Sequence, residues 1–145
     1  MVELSAEEKI ALSDVRAEKS NDMLSDASDT LKSGLFNTSV NRSYYAALHS
    51  ARSLLILKGI DPLQHDGVKT MLSLHFIKTK LLPENIIKDF KNLLSLRTDV
   101  DYGDFESINK KEAEAALKKT KSFIKVIEHE RKKLIKEMTS PTKKV

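Results

Sequence analysis

The chain has 145 residues, 40% of them hydrophobic and 32% charged, with four glycines and three prolines, which fits one compact domain able to bury a core without a metal or disulfide staple. It contains no cysteine, which excludes thiolate metal sites, cysteine nucleophiles and disulfide frameworks; no apolar run approaches the roughly 20 residues that span a bilayer, and the acidic start Met1 to Glu8 is unlike a basic secretion signal, so a cytoplasmic protein is expected. The net charge of +4 is uneven: Lys110 to Val145 holds 12 basic and 5 acidic residues, so the excess belongs to the C-terminal segment, which suits either a polyanion or a solvated helix face.

Apolar residues recur at helical spacing nearly everywhere, and no stretch alternates like a half-buried strand. Ser5 followed by Glu8 forms a capping box that opens the first helix. Ile10, Ser13, Ala17, Ser20, Leu24, Ala27 and Leu31 then make a stripe whose small residues suit close packing against a partner helix, and Gly34 is its natural stop. A second helix is expected to begin near Asn37, Thr38 or Ser39, all good N-cap types, and to run to Lys58 with Gly59 as a left-handed cap. Asp61, Pro62 and the Gly67 region make the next loop. A short third helix carries Val68, Met71, Leu72, His75 and Phe76 on one face. Pro83 opens the fourth helix at its first turn, with Ile86, Ile87, Phe90, Leu93 and Leu94 as the apolar stripe. Asn109 with Glu112 repeats the capping box and starts a last long helix whose inward face holds Ala113, Ala116, Leu117, Thr120, Phe123, Ile124, Ile127, Leu134 and Met138.

The expected fold is therefore all-α, an up-and-down antiparallel bundle of about five helices. One domain covers residues 1–138, and a polar basic tail covers 139–145. No internal repeat or low-complexity tract is present.

Two segments carry chemistry. On the second helix, Val40, Tyr44, Ala47, Leu48, Ala51, Leu54 and Leu55 share one side, while Arg42, Tyr45, Ala46, His49, Ser53 and Ile56 share the other. A guanidinium, a phenol and an imidazole on one face suit phosphate binding, since Arg matches phosphate oxygens in a fork and His donates or transfers a proton. The same face equally suits a protein contact. On the fourth helix the apolar stripe continues to position 97, which is Arg. A cation there needs a partner, and Asp101 stands four residues on. Either an Arg97–Asp101 pair with Tyr102 fixes the bend after the helix, or Arg97 holds a phosphate that Asp101 and Tyr102 orient.

The other histidines carry less. His65 lies at a helix start with a turn or cleft role, His75 is on an apolar stripe, and His129 sits in a charged, solvated stretch. No two histidines have helical zinc spacing, no Gly-rich phosphate loop or Gly-x-Ser-x-Gly elbow occurs, and neither metal nor cofactor is expected.

Asn41-Arg42-Ser43-Tyr44-Tyr45-Ala46-Ala47-Leu48-His49, the segment His65-Asp66-Gly67-Val68, and Arg97 with Asp101-Tyr102 together resemble the HEPN domain superfamily, in particular its small stand-alone branch. The likeness runs in order from about Ala27 to Ile127. It implies a dimerising helical bundle, often the partner of a minimal nucleotidyltransferase in a toxin–antitoxin-type pair. It also implies, for many members, metal-independent ribonuclease activity from an Arg-x(4–6)-His motif near the fourth helix. Counted from Arg97, the positions of that His are Tyr102, Gly103 and Asp104, so the motif imidazole is absent. The leading expectation is a dimeric binding module with a nucleotide- or RNA-phosphate cleft lined by Arg42, Tyr45, Arg97 and His65. The alternatives are an endoribonuclease using Arg97, Asp101, Tyr102 and His49, and a structural dimer without ligand.

Overall fold

The computed structural model describes residues 3–102 and 108–140. Five α-helices follow one another: α1 (Ala6–Lys32), α2 (Phe36–Leu55), α3 (His65–Leu72), α4 (Asn85–Tyr102) and α5 (Lys110–Thr139). No strand occurs among the described residues, so the all-α bundle read from the hydrophobic spacing is the fold. Both capping boxes form: Ser5 with Glu8 opens α1, and Asn109 with Glu112 opens α5.

The long helices alternate in direction, and cross-helix hydrogen bonds fix their register. The small residues of α1 lie directly on α2. Ser13 Oγ donates to the Ser53 carbonyl (2.6 Å), Ser20 Oγ to the Ala46 carbonyl (2.7 Å), and Ser39 Oγ returns from α2 to the Ala27 carbonyl (2.7 Å). A seven-residue step along α1 thus meets a seven-residue step back along α2, and each buried hydroxyl finds an acceptor that offsets its desolvation. Helix α5 lies parallel to α2, with Thr120 Oγ donating to the Ser43 carbonyl. It is tied to α1 by Arg131, which reaches Asp14 (2.8 Å), Ser13 (3.1 Å) and Glu128 (2.8 Å).

Helix α2 is the central element. Val40, Tyr44, Ala47, Ala51, Leu54 and Leu55 are buried as the periodicity requires, and Ala46, Ser53 and Ile56 on the opposite side are buried too, because α1 covers that side. Only Arg42, Tyr45 and His49 of that second face keep partial exposure. The core is completed by Val68, Leu72 and Phe76 from the α3 segment, Ile86, Phe90 and Leu93 from α4, and Phe123 and Ile127 from α5.

Several local expectations are corrected. Helix α2 begins at Phe36 with Leu35 as its cap residue and no side-chain cap bond, because the α1 stop at left-handed Gly34 (φ 79°) leaves no room for a longer loop. The polar residues read as caps have other tasks: Asn37 Oδ1 accepts the Ile108 N–H (3.0 Å), and Ser39 bonds α1. Gly67 stands within α3 rather than in the loop, where a Cβ would come within 2.9 Å of Pro62 Cβ. Pro83 falls two residues before α4, its carbonyl accepting the Ile86 N–H. Around His129 the stretch is only half solvated, since Glu130 and Arg131 are buried. The α2 ending matches the reading, with a tightened turn at Ile56–Lys58 closed by left-handed Gly59 (φ 75°).

Candidate functional site

The half-exposed row on α2 meets the end of α4. Arg97 is held from three sides. Its Nε lies 2.9 Å from Asp101 Oδ2 as an ion pair one helical turn on, and its Nη2 donates to the Tyr45 hydroxyl (2.9 Å). The guanidinium carbon stands 5.5 Å from the Tyr44 ring centre and 5.4 Å from that of Tyr45, within reach of cation–π attraction. The anomalous inward cation of the sequence is therefore charge-paired one turn on and hydrogen-bonded on the facing helix, while its buried Nε makes no hydrogen bond among the described residues. Its side chain keeps 14% exposure. Its Nη1 has no protein partner among the described residues, leaving two N–H donors fixed in place.

Tyr44 connects this cation to His65. The Tyr44 hydroxyl is bonded to His65 Nδ1. Burial raises the phenol pKa, against the opposing pull of Arg97, and so keeps it protonated. Burial, with Arg97 adding to it, lowers the pKa of His65, while Asp66 opposes the shift. The bond therefore joins a neutral phenol and a neutral imidazole. It engages Nδ1 and leaves Nε2 as the ring nitrogen not bonded to Tyr44. Sequence reasoning placed Tyr44 only in the core. The available signal was its phenol, since a buried tyrosine hydroxyl needs a partner.

Arg42 sits one turn before Tyr45 and donates to Asn41 Oδ1 (3.0 Å). Together with Asn37, Thr38 and Asn41 it lines a cleft of about 300 Å³, closed on the other side by Val100 and Asp101 of α4. Asp101 is thus common to both arginines: it pairs with Arg97 and faces the Arg42 cleft. Tyr102 ends α4, and its side chain lies outside the described residues.

His49 continues the row beyond Tyr45, with ring centres 6.5 Å apart. Burial lowers its pKa first, and Lys19, Arg52 and Arg16 lower it further. Those cations form a second cluster that the sequence did not single out. Arg16 Nη1 and Arg52 Nη2 both reach Asp61 Oδ1, at 2.9 and 3.0 Å, binding α1 and α2 to the following loop. Burial alone would raise the Asp61 pKa, but the hydrogen bonds and charges of the two arginines outweigh it and hold it below its ordinary value. Only long-range pairing reveals this cluster, since its members are 45 and 9 residues apart.

Among the described residues no three His, Asp or Glu side chains gather as metal ligands, and no helix is long and apolar enough to cross a membrane.

The HEPN domain family profile matches residues 14–131. "UPF0332 protein PH1297" of Pyrococcus horikoshii is 46% identical over 56 residues, 39% of either chain. Two Methanocaldococcus jannaschii proteins match more broadly. "Putative toxin MJ0142" is 31% identical over 107 residues, 74% of this chain and 73% of that one. "Putative toxin MJ0605" is 31% identical over 115 residues, 79% of this chain and 82% of that one. With the helical bundle, the α2 row and the match over most of its length, the chain belongs to the HEPN domain family.

Proposed function

We propose that the protein is the HEPN member of a toxin–antitoxin-type pair, a dimer acting with a minimal nucleotidyltransferase, and that its α2–α4 cleft binds a nucleotide or RNA phosphate. The observation that carries the binding reading is Arg97. Its guanidinium is immobilised by Asp101, Tyr45 and two aromatic rings, yet its Nη1 has no partner among the described residues. A cation preorganised in this way loses little side-chain entropy on meeting a phosphate, and its planar fork matches two phosphate oxygens. Arg42, across the shared Asp101, supplies a second cation at the cleft. Tyr45 positions Arg97, and His65 is linked to it through Tyr44. The toxin names of the two M. jannaschii relatives support the pairing part of the reading.

Titration calorimetry with adenosine 5′-monophosphate tests the cleft. Arg97→Met and Arg42→Met should each weaken binding at least about tenfold, the cost of a lost charge-assisted contact, with melting temperatures near the wild type. Affinity unchanged in both variants refutes the cleft. Co-expression with a minimal nucleotidyltransferase encoded beside the gene should yield a stable complex, and two proteins that elute separately refute the partnership. A dimer mass in solution is expected in the same experiment.

One observation favours the ribonuclease reading as the second choice. His49 is held in its neutral form beside Tyr45, the state a general base requires. His65 has its Nδ1 engaged by Tyr44. That reading requires RNA cleavage in EDTA that is lost in both Arg97→Ala and His49→Ala. Cleavage that survives both changes excludes these residues as its source. A dimer that binds neither nucleotide nor RNA leaves the purely structural role.

A further inference from the structure

The outer face of α5 carries a row of cations that the α2–α4 cleft does not use. Lys118, Lys121, Lys125, His129, Lys132 and Lys136 follow one another at steps of three or four residues within the helix. At about 100° per residue they fall within about 80° of arc. All six are exposed, and they lie opposite the face that buries Ala113, Ala116, Thr120, Phe123 and Ile127. The row is about 27 Å long at about 1.5 Å per residue, close to one cation per turn. None of these lysines forms an ion pair within 4 Å among the described residues. Glu114 lies on the same line one turn before Lys118, and Glu128, at the edge of the row, has both oxygens taken by Arg131.

We propose that this row is a track for the phosphate backbone of a single-stranded nucleic acid, bound without regard to sequence. Its composition selects that occupant over other anions. A protein interface has an apolar centre enriched in aromatic residues and Arg and depleted in Lys, whereas this arc holds no aromatic, apolar or Arg residue between Lys118 and Lys136. A helix lying on a membrane needs an apolar face to insert, and the apolar face of α5 is spent on the core. Lysine ammonium groups act as point charges that follow a flexible line of phosphates without fixed geometry. Releasing condensed counterions supplies the driving force. No aromatic side chain on the arc stacks bases, which removes sequence preference.

The experiment is fluorescence anisotropy of the full chain with a labelled 20-nucleotide single-stranded RNA between 50 and 200 mM salt. Five lysines predict a logarithmic salt slope of about 3.5, or roughly 100-fold weakening over that range. The exposed triple variant Lys121→Gln, Lys125→Gln, Lys132→Gln should lower the slope by about 2 while keeping the melting temperature and the affinity for adenosine 5′-monophosphate. A control triple of the same net charge, Lys78→Gln, Lys88→Gln, Lys91→Gln, should leave the slope unchanged. The proposal is overturned by absence of strand binding at 50 mM salt, by equal losses in the two triples, or by stronger binding to phosphatidylserine vesicles or polyglutamate than to the strand. Because the mononucleotide reports on the cleft and the strand on the row, failure of one is distinguishable from failure of the other.

Discussion

Replacing Asp101 by Asn moves stability and ligand affinity in opposite directions. Asp101 lies 2.9 Å from Arg97, with side-chain exposures of 29% and 14%, so water already screens the pair. Its loss should cost about 1 kcal/mol, the upper end for exposed pairs, rather than the 3–5 kcal/mol of a fully buried one. In a chain of this size that is a fall of about 2–4 °C in melting temperature. Arg97 stays in place through Tyr45 and the two rings. In the proposed site, a phosphate bridging Arg42, which lines the cleft, and Arg97, which pairs with its wall residue Asp101, is meanwhile relieved of that carboxylate. At about 7 Å and an effective dielectric of about 40, the relieved repulsion is about 1.2 kcal/mol per unit charge, so adenosine 5′-monophosphate should bind about five- to tenfold more tightly. Thermal unfolding followed by circular dichroism, with calorimetric titration of the same samples, reads both quantities. An Asp101→Asn protein that folds normally but binds the nucleotide more weakly would show that the carboxylate orients the ligand instead of repelling it, and would refute the electrostatic reasoning.

Three further outcomes follow from the packing. Gly67→Ala should destabilise by about 1 kcal/mol, because the roughly 1 kcal/mol helix-propensity gain is outweighed by an overpacked Cβ 2.9 Å from Pro62; a higher midpoint in urea would contradict this. Arg131→Met should cost about 1–2 kcal/mol, since Asp14 and Glu128 are 61% and 32% exposed and rehydrate once released; a loss above about 4 kcal/mol would show that those carboxylates stay dry. Asp61 has a lowered folded-state pKa, so its contribution is complete above the ordinary carboxylate value near 4 and is lost as pH falls through the lower folded value. Stability measured from pH 7 to pH 2.5 should therefore drop less in Asp61→Asn than in the wild type, and parallel curves would remove the arginine clamp from the account.

The sequence discloses the fold because nearly every element carries a local signal of its own. Ser5–Glu8 and Asn109–Glu112 announce two helix starts, Gly34 and Gly59 two stops, and the α1 spacing of Ser13, Ser20 and Ala27 shows that something packs closely there. It does not show that Ser39 answers from α2, since that bond depends on how the two helices are set against each other. The site is legible where a residue breaks a pattern. Arg97 stands where an apolar residue belongs, and Asp101 one turn on is the partner that periodicity suggests. Tyr44 breaks no pattern, so its link between Arg97 and His65 becomes visible only when α3 is seen against α2. The same holds for Arg16, Arg52 and Asp61, which are brought together by the α1–α2 register. Gly67 reads as a loop residue because its need for close approach comes from Pro62, a tertiary neighbour.

The central claim is that Arg42 and Arg97 present one phosphate-binding cleft. The most direct test is to follow the arginine Nε–Hε resonances of the folded protein while adenosine 5′-monophosphate is added. The account predicts that the Arg97 and Arg42 signals shift together, with one dissociation constant, while Arg131, locked between Asp14 and Glu128, stays still. Shifts that leave both Arg42 and Arg97 unmoved while the nucleotide binds elsewhere would contradict it.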